Sequence, residues 1–391
     1  MSAGRGTHSP ASGPARAPRG RRPLLLAMLA AAALSPLPGA AQLGLERPGA
    51  GAGANFERFS FAEAGVLGIE SLSLLTLPFA GRADVAPRFT ILVSGAWARG
   101  ALTRSDGTEQ TLAGLTDTEV RATYGLGSDA LTLSAVALLP TGHSTLDGDE
   151  ADVAGAVAAD VLPFRISNWG TGGGFGASVA AATQLGRGAS AGISVGYVLA
   201  REFEPVADRT DYVYRPGNQL HVTGALDATL GGAGKGSLRV SFRRFDTDRA
   251  NDVNLYQSGN RIQVTGSWAF AVGPAASGIV YAGIHHRDRA ELGAVTIVAA
   301  AQDLILAGVG GRVPLGRGVL QPALDLRVLN GADDAPRGYT AGLGVTGEWP
   351  AGTVLLAPTV RVRTGNARTP AGAETAYTGV ELGIAVRFGS R

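Results

Sequence analysis

The sequence predicts an all-β fold, a transmembrane antiparallel up-and-down β-barrel of 14 to 16 strands that follows a cleaved signal peptide. The last strand-length segment, 377–388, alternates strictly between apolar and small or polar residues, as a strand between lipid and water does. Its apolar face carries Val380, Leu382, Ile384, Val386 and Phe388, and its other face carries Gly379, Glu381, Gly383, Ala385 and Arg387. The same alternation recurs along the chain, short connections alternate with long ones, and a secretory signal precedes it all.

The beginning of the chain predicts export through the general secretory route. Five arginines precede the apolar run Pro23–Leu34, and the small residues Gly39, Ala40 and Ala41 follow it. This order is typical of a signal peptide, and we expect cleavage after Ala41. No later segment offers the roughly 20 apolar residues of a spanning helix. We therefore divide the chain into a signal peptide (1–41), a lead-in (42–65) and the barrel (66–391).

Composition narrows the class further. The chain has 58 Gly, 2 Met and no Cys among 391 residues, and 17% of its residues are charged. Abundant glycine suits closely approaching strands better than a helical core. The absence of Cys excludes a disulfide framework and thiolate metal sites. A formal net charge of +2 gives no reason to expect nucleic acid, and we expect no cofactor and no metal.

Fifteen segments are strand candidates. They are 66–80, 88–100, 116–126, 129–140, 173–185, 189–203, 217–230, 236–245, 259–272, 276–289, 295–313, 317–330, 338–349, 353–364 and 376–388. A single-chain barrel with both ends on one side needs an even number. Residues 46–54 are expected to be a flexible lead-in. Asn55–Ala62 gives sixteen strands if it forms a weak strand and fourteen if it enters the lumen as a plug, and both alternatives stay open.

The connections predict which way the chain is oriented. Six tight turns are expected at 127–128, 186–188, 231–235, 273–275, 314–316 and 350–352, and longer polar loops at 141–172, 204–216, 246–258, 331–337 and 365–375. Outer-membrane barrels have short periplasmic turns and long external loops. We therefore expect both ends of the barrel in the periplasm and outer-membrane lipid around it.

Charged residues on the polar faces of the strands are expected to line the lumen. An arginine facing lipid near the midplane would cost about 2 to 4 kcal/mol. The predicted lumen-lining residues are Glu119, Arg121, Arg239, Arg243, Arg261, Asp325, Arg327, Glu348, Arg361, Arg363, Glu381 and Arg387. Eight arginines thus face four carboxylates. Structural ion-pair ladders are one interpretation, and a mildly anion-favouring passage is the other.

Aromatic residues mark the expected periplasmic girdle. Trp349, Trp268, Phe270 and Phe388 all fall near the predicted tight turns or the end of the chain. We expect the outer-membrane assembly machinery to recognise the last strand, which ends at Phe388, although Gly389, Ser390 and Arg391 follow that aromatic residue.

Three segments carry a family resemblance. Leu115–Arg121 leads to Leu138–Gly142, and Phe164–Gly172 follows downstream. Together they resemble outer-membrane barrels of the phenol-degradation meta-pathway type and, more remotely, FadL-type channels for hydrophobic compounds. The resemblance covers less than a third of the mature chain. It implies passive uptake of small apolar or aromatic compounds, with a general water-filled porin or a non-transporting surface scaffold or rim enzyme as alternatives.

Other motifs have ordinary explanations. Gly342–Gly347 has the spacing of a dinucleotide-binding loop but falls within a predicted strand. The acidic residues Asp147, Asp149, Glu150 and Asp152 have the ligand chemistry of a calcium site, although a solvated external loop is the favoured interpretation. Residues 151–162 are expected to form a short helix over or in the mouth of the barrel, where it would gate the pore.

Candidate chemistry at the outer rim is sparse. His285 and His286, with Asp288 nearby, have the residue types of a general base, but adjacent histidines on a strand face opposite ways, so we expect no enzyme. Tyr212, Tyr214 and Arg215 lie in a predicted external loop and are the candidate contacts for an aromatic or anionic ligand, with simple packing within the loop as the alternative.

Overall fold

A computed structural model describes residues 43, 45, 47–127, 130–209, 211–293, 296–332, 336–368 and 372–389. The predicted signal peptide lies outside these residues. Each strand of the main sheet pairs antiparallel with a neighbour, and the first strand pairs with the last, so the sheet closes into a barrel.

The main sheet has seventeen strands. They are β1 (Gly49–Phe61), β2 (Ile69–Ala86), β3 (Phe89–Arg104), β4 (Glu109–Leu115), β5 (Thr118–Leu126), β6 (Leu131–Leu139), β7 (Gly174–Leu185), β8 (Ala189–Ala200), β10 (Gln219–Thr229), β11 (Lys235–Phe245), β14 (Arg261–Val272), β15 (Ala276–Arg287), β18 (Gln302–Leu315), β19 (Gly318–Gly331), β20 (Arg337–Ala351), β21 (Val354–Arg368) and β22 (Glu374–Gly389).

Strands β4 and β5 together occupy one position in the barrel. β4 pairs with the second half of β3 and β5 with its first half, and residues 116–117 separate the two. The barrel therefore has sixteen positions, which confirms the higher of the two predicted counts. The plug alternative is wrong, because Asn55–Phe61 belongs to β1 and pairs with both β2 and β22.

The first strand begins earlier than predicted. Residues 49–54, expected to be a flexible lead-in, already form β1 and pair with β22. A side chain at Gly49 would collide with the carbonyl oxygen of Phe388, and one at Gly53 would lie 2.9 Å from the carbonyl oxygen of Ile384. The glycines that suggested flexibility thus permit close strand pairing.

The predicted tight turns are confirmed where the chain is described. Gly186, Gly273, Gly316 and Gly352 sit in turns with φ between 59° and 80°, a region that glycine enters without strain. Both barrel ends, Gly49 and Gly389, lie at this tight-turn end, where they are paired. The long connections all lie at the other end, here called the loop end.

The strands carry an apolar outer face, and β22 shows how it alternates with a small or polar inner face. On β22, Leu382, Ile384 and Phe388 are exposed while Glu381 is completely buried, so the alternation predicted for this strand is confirmed. Trp268 and Phe270 pack against each other near the Gly273 turn, with ring centroids 4.8 Å apart. The strand faces therefore match a barrel with an apolar outer surface.

Three connections at the loop end add a second, five-stranded sheet, which was not predicted from the sequence. It consists of β9 (Tyr214–Arg215), β12 (Asp248–Ala250), β13 (Val253–Gln257), β16 (Ala290–Leu292) and β17 (Thr296–Ala299). The predicted strand 295–313 thus divides into β17 and β18. These strands are too short to show an alternation that sequence analysis could use.

The helices are few and short. A 3₁₀ turn spans Gly231–Ala233, α1 spans Ala64–Leu67, and α2 spans Gly148–Val157. None of the helices in the described ranges is long and apolar enough to cross a membrane. A short helix was predicted at 151–162, and α2 confirms the helix but lies earlier: it begins three residues before the predicted start and ends at Val157, five residues before the predicted end.

Candidate functional site: the barrel lumen

Residues 140–173, here called the inner loop, cross the interior of the barrel. The indole nitrogen of Trp169 donates to the carbonyl oxygen of Ala98 on β3 at 3.0 Å. Asp160 forms an ion pair at 3.1 Å with Arg287 on β15. Because β3 and β15 lie half-way round the barrel from each other, the inner loop spans the lumen.

The inner loop is held by an apolar cluster on one side of the lumen. Val153 and Trp169 are buried, as are Phe59, Leu74 and Leu102 of the strands beneath them. Phe164 packs edge-on against Phe59, with ring centroids 5.0 Å apart. Burial of several large apolar side chains stabilises this position by about 1.5 to 3 kcal/mol for each one, so the loop is part of the folded core.

Side chains at the first turn of α2 determine where the helix begins. Asp147 accepts a hydrogen bond from the backbone nitrogen of Glu150 at 2.9 Å, and the Glu150 carboxylate accepts one from the backbone nitrogen of Asp147 at 3.1 Å. This capping box satisfies two backbone donors at the helix start. An acidic residue three positions before a glutamate is visible in the sequence, so this signal could have placed the helix start correctly.

The neck of the inner loop is tied to the break between β4 and β5. Asp117, 4% exposed, accepts from the backbone nitrogens of Gly142 at 3.1 Å and Thr171 at 2.7 Å, and from the Thr171 hydroxyl at 2.8 Å. A Cβ on Gly142 would collide with the carbonyl oxygen of Trp169. One carboxylate thus holds both chain segments that enter and leave the lumen.

The acidic residues of the inner loop have protein partners. Asp149 accepts from the Gln110 amide at 2.7 Å, Asp152 pairs with Arg104, and His143 lies 3.1 Å from Glu150. In the described part of the chain, no group of three or more side chains is arranged to hold a metal ion. The four acidic residues therefore cap the helix and join it to the wall.

Beneath the inner loop, three arginines and three carboxylates form what we call the balanced network. Glu381 and Glu57 are fully buried, and Arg363 reaches both, at 2.7 Å and 3.6 Å. Arg165 of the inner loop pairs with Glu381. Arg361 lies 3.9 Å from Glu381 and 3.6 Å from Asp325 on β19. These side chains link β1, β19, β21 and β22 to the loop.

Two further predicted groups are also paired. Glu348 binds Arg387 at 3.3 Å and Arg312 at 3.1 Å. Glu119 binds Arg121 at 2.8 Å, and both side chains are buried. Glu348 on β20 thus joins β18 and β22 across the inner wall, whereas Glu119 and Arg121 pair within β5.

A different part of the wall carries what we call the arginine row. Arg243 on β11 is the direct cross-strand partner of Arg261 on β14, which is the direct partner of Arg287 on β15. His221 on β10 extends the row beside Arg243. Like charges directly opposite each other destabilise a sheet, so this arrangement costs stability rather than adding to it.

The arginine row and Asp160 line one cavity of about 390 Å³. Thr223, Ser241 and Gln263 contribute polar groups to the same cavity. Arg261 stacks over the ring of Phe245 at 5.0 Å and, within the described residues, makes no ion pair with a carboxylate. The cavity is therefore a polar space with cationic groups on its wall and one acidic side chain on the inner loop.

The remaining predicted lumen residues flank this cavity. Arg327 donates to the carbonyl oxygen of Asp160 at 3.1 Å. Arg239 lines a second cavity of about 220 Å³ together with Ser237, Thr265 and Tyr281, which lie closer to the tight-turn end. Polar cavities thus follow the inner face of β11 and β14 along the barrel.

The rings of the two rim histidines lie on opposite faces of β15, although both residues border the cavity of the arginine row. His286 contacts Asp303 at 2.7 Å and Asp288 at 3.1 Å. Adjacent strand residues point to opposite faces, so the two rings do not form one site.

The tyrosines of the 204–216 loop pack within the loops. Tyr214 donates to Asp248 and meets the Phe203 ring edge-on at 5.7 Å. Burial and this hydrogen bond raise the pKa of Tyr214 well above its usual range, so the hydroxyl stays protonated. Tyr212 lies under the guanidinium of Arg209 at 5.3 Å. A ligand contact for Tyr212, Tyr214 and Arg215 remains a prediction.

Sequence reasoning missed several residues of the lumen: Glu57, Asp117, His221, Arg165, Asp160 and Arg287. Glu57 lies on the same face of β1 as Asn55 and Phe59. The period of two would have placed its side chain inside the barrel if this strand had been recognised from the sequence. Asp160 and Arg165 lie in a loop, where no periodicity tells which side chains point into the lumen.

Comparisons with known proteins add little. No protein-family model and no curated protein matches the chain. A triple mutant of the Rhodopseudomonas blastica porin is 13% identical with a TM-score of 0.39, and a double mutant is 13% identical with a TM-score of 0.40. Each match covers 88% of this chain and 100% of the porin. At this identity and TM-score the porins do not indicate a function for this chain, and neither is described as a barrel of the phenol-degradation or FadL type.

Proposed function

We propose that the chain is an outer-membrane channel through which small hydrophilic solutes diffuse passively, with a preference for anions. The arginine row in a polar cavity is the observation that carries this proposal. Rings or rows of arginine at a narrow point favour anions in pores, and charges in a cleft with low-dielectric walls raise the local concentration of counter-ions. The inner loop narrows the passage opposite that wall.

The outer surface supports the proposed location. Exposed apolar residues such as Leu343, Val360 and Leu382 cover adjacent strands, and a band of this kind suits lipid. Phe388, half exposed at the end of β22, stands where the assembly machinery is expected to bind. Both ends of the barrel would then lie in the periplasm.

Planar-bilayer recording of the refolded mature chain tests the proposal. In a KCl gradient, the reversal potential should have the sign of anion preference. Replacing Arg243, Arg261 and Arg287 with Gln should abolish that preference. The matched control is the turn-end variant, in which Arg187, Lys235 and Arg317 are replaced with Gln at the tight-turn end. Absence of conductance would refute the channel, and an unchanged reversal potential would refute the role of the arginine row.

Uptake of apolar or aromatic compounds is the second candidate. One observation favours it: among the described residues β4 has a strand ladder only with β3, and beside Leu115 the inner loop takes the place of the next strand, with the backbone nitrogen of His143 donating to the Leu115 carbonyl oxygen at 3.0 Å. Movement of that loop segment would open a sideways route. Phenol or a fatty acid should then alter the conductance of the wild-type channel and of the arginine-row variant equally. A lack of response in both proteins would contradict this candidate.

A further inference from the structure

Three arginines surround one cavity outside the lumen, at the loop end. Arg244 of β11, Arg215 of β9 and Arg249 of β12 line a space of about 790 Å³. Arg215 and Arg249 are direct cross-strand partners, which is unfavourable for like charges. Within the described ranges, none of the three lies at ion-pair distance from a carboxylate.

The nearest acidic residues are engaged elsewhere. Asp246 accepts from the Tyr197 hydroxyl at 2.9 Å. Asp248 accepts from Tyr214 and from the backbone nitrogen of Gly217 at 2.6 Å. Asp246 lines the same cavity, so three guanidinium groups face one carboxylate, and part of the cationic charge is left without compensation. An external anion would supply it.

The floor of the same cavity is apolar. Leu220 and Phe242 line it, and Leu220 is the direct cross-strand partner of Arg244. Below them on the outer face lies Val240, which is 43% exposed. The cavity therefore joins a cationic rim to the apolar outer surface of β10 and β11, and a molecule that fits both parts has a charged head and an apolar tail.

We propose that this cavity binds the phosphorylated headgroup of a lipid in the outer leaflet, with its acyl chains along β10 and β11. Guanidinium groups bind phosphate oxygens in a bidentate geometry. The loop end faces outward in the proposed membrane orientation, so the inference rests on that location and not on conduction. Lipid and free phosphate share this chemistry, and the apolar floor favours lipid.

Binding to the refolded mature chain in neutral detergent tests the site with three probes: lipid A (a diphosphorylated acylated disaccharide), the same lipid without phosphates, and inorganic phosphate. Lipid A should bind tightest. Replacing Arg215, Arg244 and Arg249 with Gln should weaken it by up to about a hundredfold, since each cation near an anionic surface contributes about 1 kcal/mol. The turn-end variant, with as many charges removed, should bind normally.

Each contrary result has a separate meaning. Equal binding of the dephosphorylated lipid, or normal binding by the arginine variant, would overturn the site. Binding of inorganic phosphate as tight as lipid A would overturn the lipid assignment. Unchanged conductance and circular dichroism of the arginine variant would show that it is folded, so failure of the lipid site stays distinguishable from failure of the channel.

Discussion

The balanced network and the arginine row use the same residue type on the same face of one barrel, and each includes an ion pair with the inner loop, yet the arginines differ in their partners and in their burial. In the balanced network, Arg363 is nearly inaccessible and lies between two buried carboxylates. In the arginine row, Arg261 faces a polar cavity between two other arginines. An inward-facing charge alone therefore does not define a function, because the partners of an arginine determine whether it stabilises the fold or is available to a passing solute.

The largest expected effect comes from breaking the balanced network. Glu381→Gln leaves Arg165 and Arg363 without their shared buried carboxylate, which should cost about 3 to 5 kcal/mol. Urea unfolding of the refolded protein, followed by circular dichroism, measures this loss. Glu374→Gln, at the exposed start of β22, is the control. If Glu381→Gln unfolds at the wild-type urea concentration, the network is not a structural element.

The neck of the inner loop gives the next largest effect. Asp117→Asn should reduce the free energy that holds the inner loop in place by about 2 kcal/mol, because hydrogen bonds to a charged group contribute about 1.5 to 3 kcal/mol. We expect a noisier and larger single-channel conductance as the loop moves. Asp106→Asn, in an exposed external turn, should behave as wild type.

An engineered disulfide tests whether the behaviour of the Asp117→Asn variant comes from movement of the inner loop or from misfolding. The chain has no cysteine, and a Cβ at Gly100 would lie 2.8 Å from Val153 of the loop. Gly100→Cys with Val153→Cys should therefore pin the loop and restore quiet conductance to the Asp117→Asn variant, reversibly on reduction. Persistent noise after cross-linking would contradict the role of the neck.

Asp160 connects the loop to the arginine row and should have a smaller effect on stability. Asp160→Asn removes a half-exposed ion pair with Arg287, which contributes at most about 1 kcal/mol. It also removes the acidic side chain that faces the row, so the reversal potential should shift further toward anion preference. An unchanged reversal potential would show that Asp160 does not act on the solute path.

The smallest expected effect is the response to salt, which distinguishes the arginine row from the balanced network without mutation. The Debye screening length falls from about 10 Å at 0.1 M salt to about 3 Å at 1 M. Anion preference should therefore weaken as salt rises, while the buried ion pairs of the balanced network should keep the unfolding free energy nearly constant. A selectivity that does not change with salt would indicate size exclusion instead of charge.

The sequence predicted the periodic part of the molecule well. Strict alternation in Val380–Phe388 located the last strand and its two faces. In a barrel wall a period of two leaves one arrangement, in which the apolar set faces outward and the other set faces the lumen. It also put Arg261 and Arg363 on inward faces. It could not tell that one is paired and the other is not, since cross-strand partners depend on register between distant segments.

Loops were predicted less well for the same reason. The composition of 151–162 indicated a helix, but the position of Trp169 against β3 follows from packing that no local pattern encodes. The separation of β4 from β5 at Asp117 likewise depends on contacts with Gly142 and Thr171. Local propensity describes elements, while tertiary contacts place them.

Closure of β1 onto β22 has a consequence for how the chain folds. The ladder from Gly49↔Gly389 to Phe61↔Tyr377 joins the two ends of the described barrel, so its loop-closure entropy is among the largest that the topology imposes. Folding rates fall as contacts become more distant in sequence. Closure should therefore be a late and slow step, and the open intermediate would expose two unpaired edges that invite aggregation.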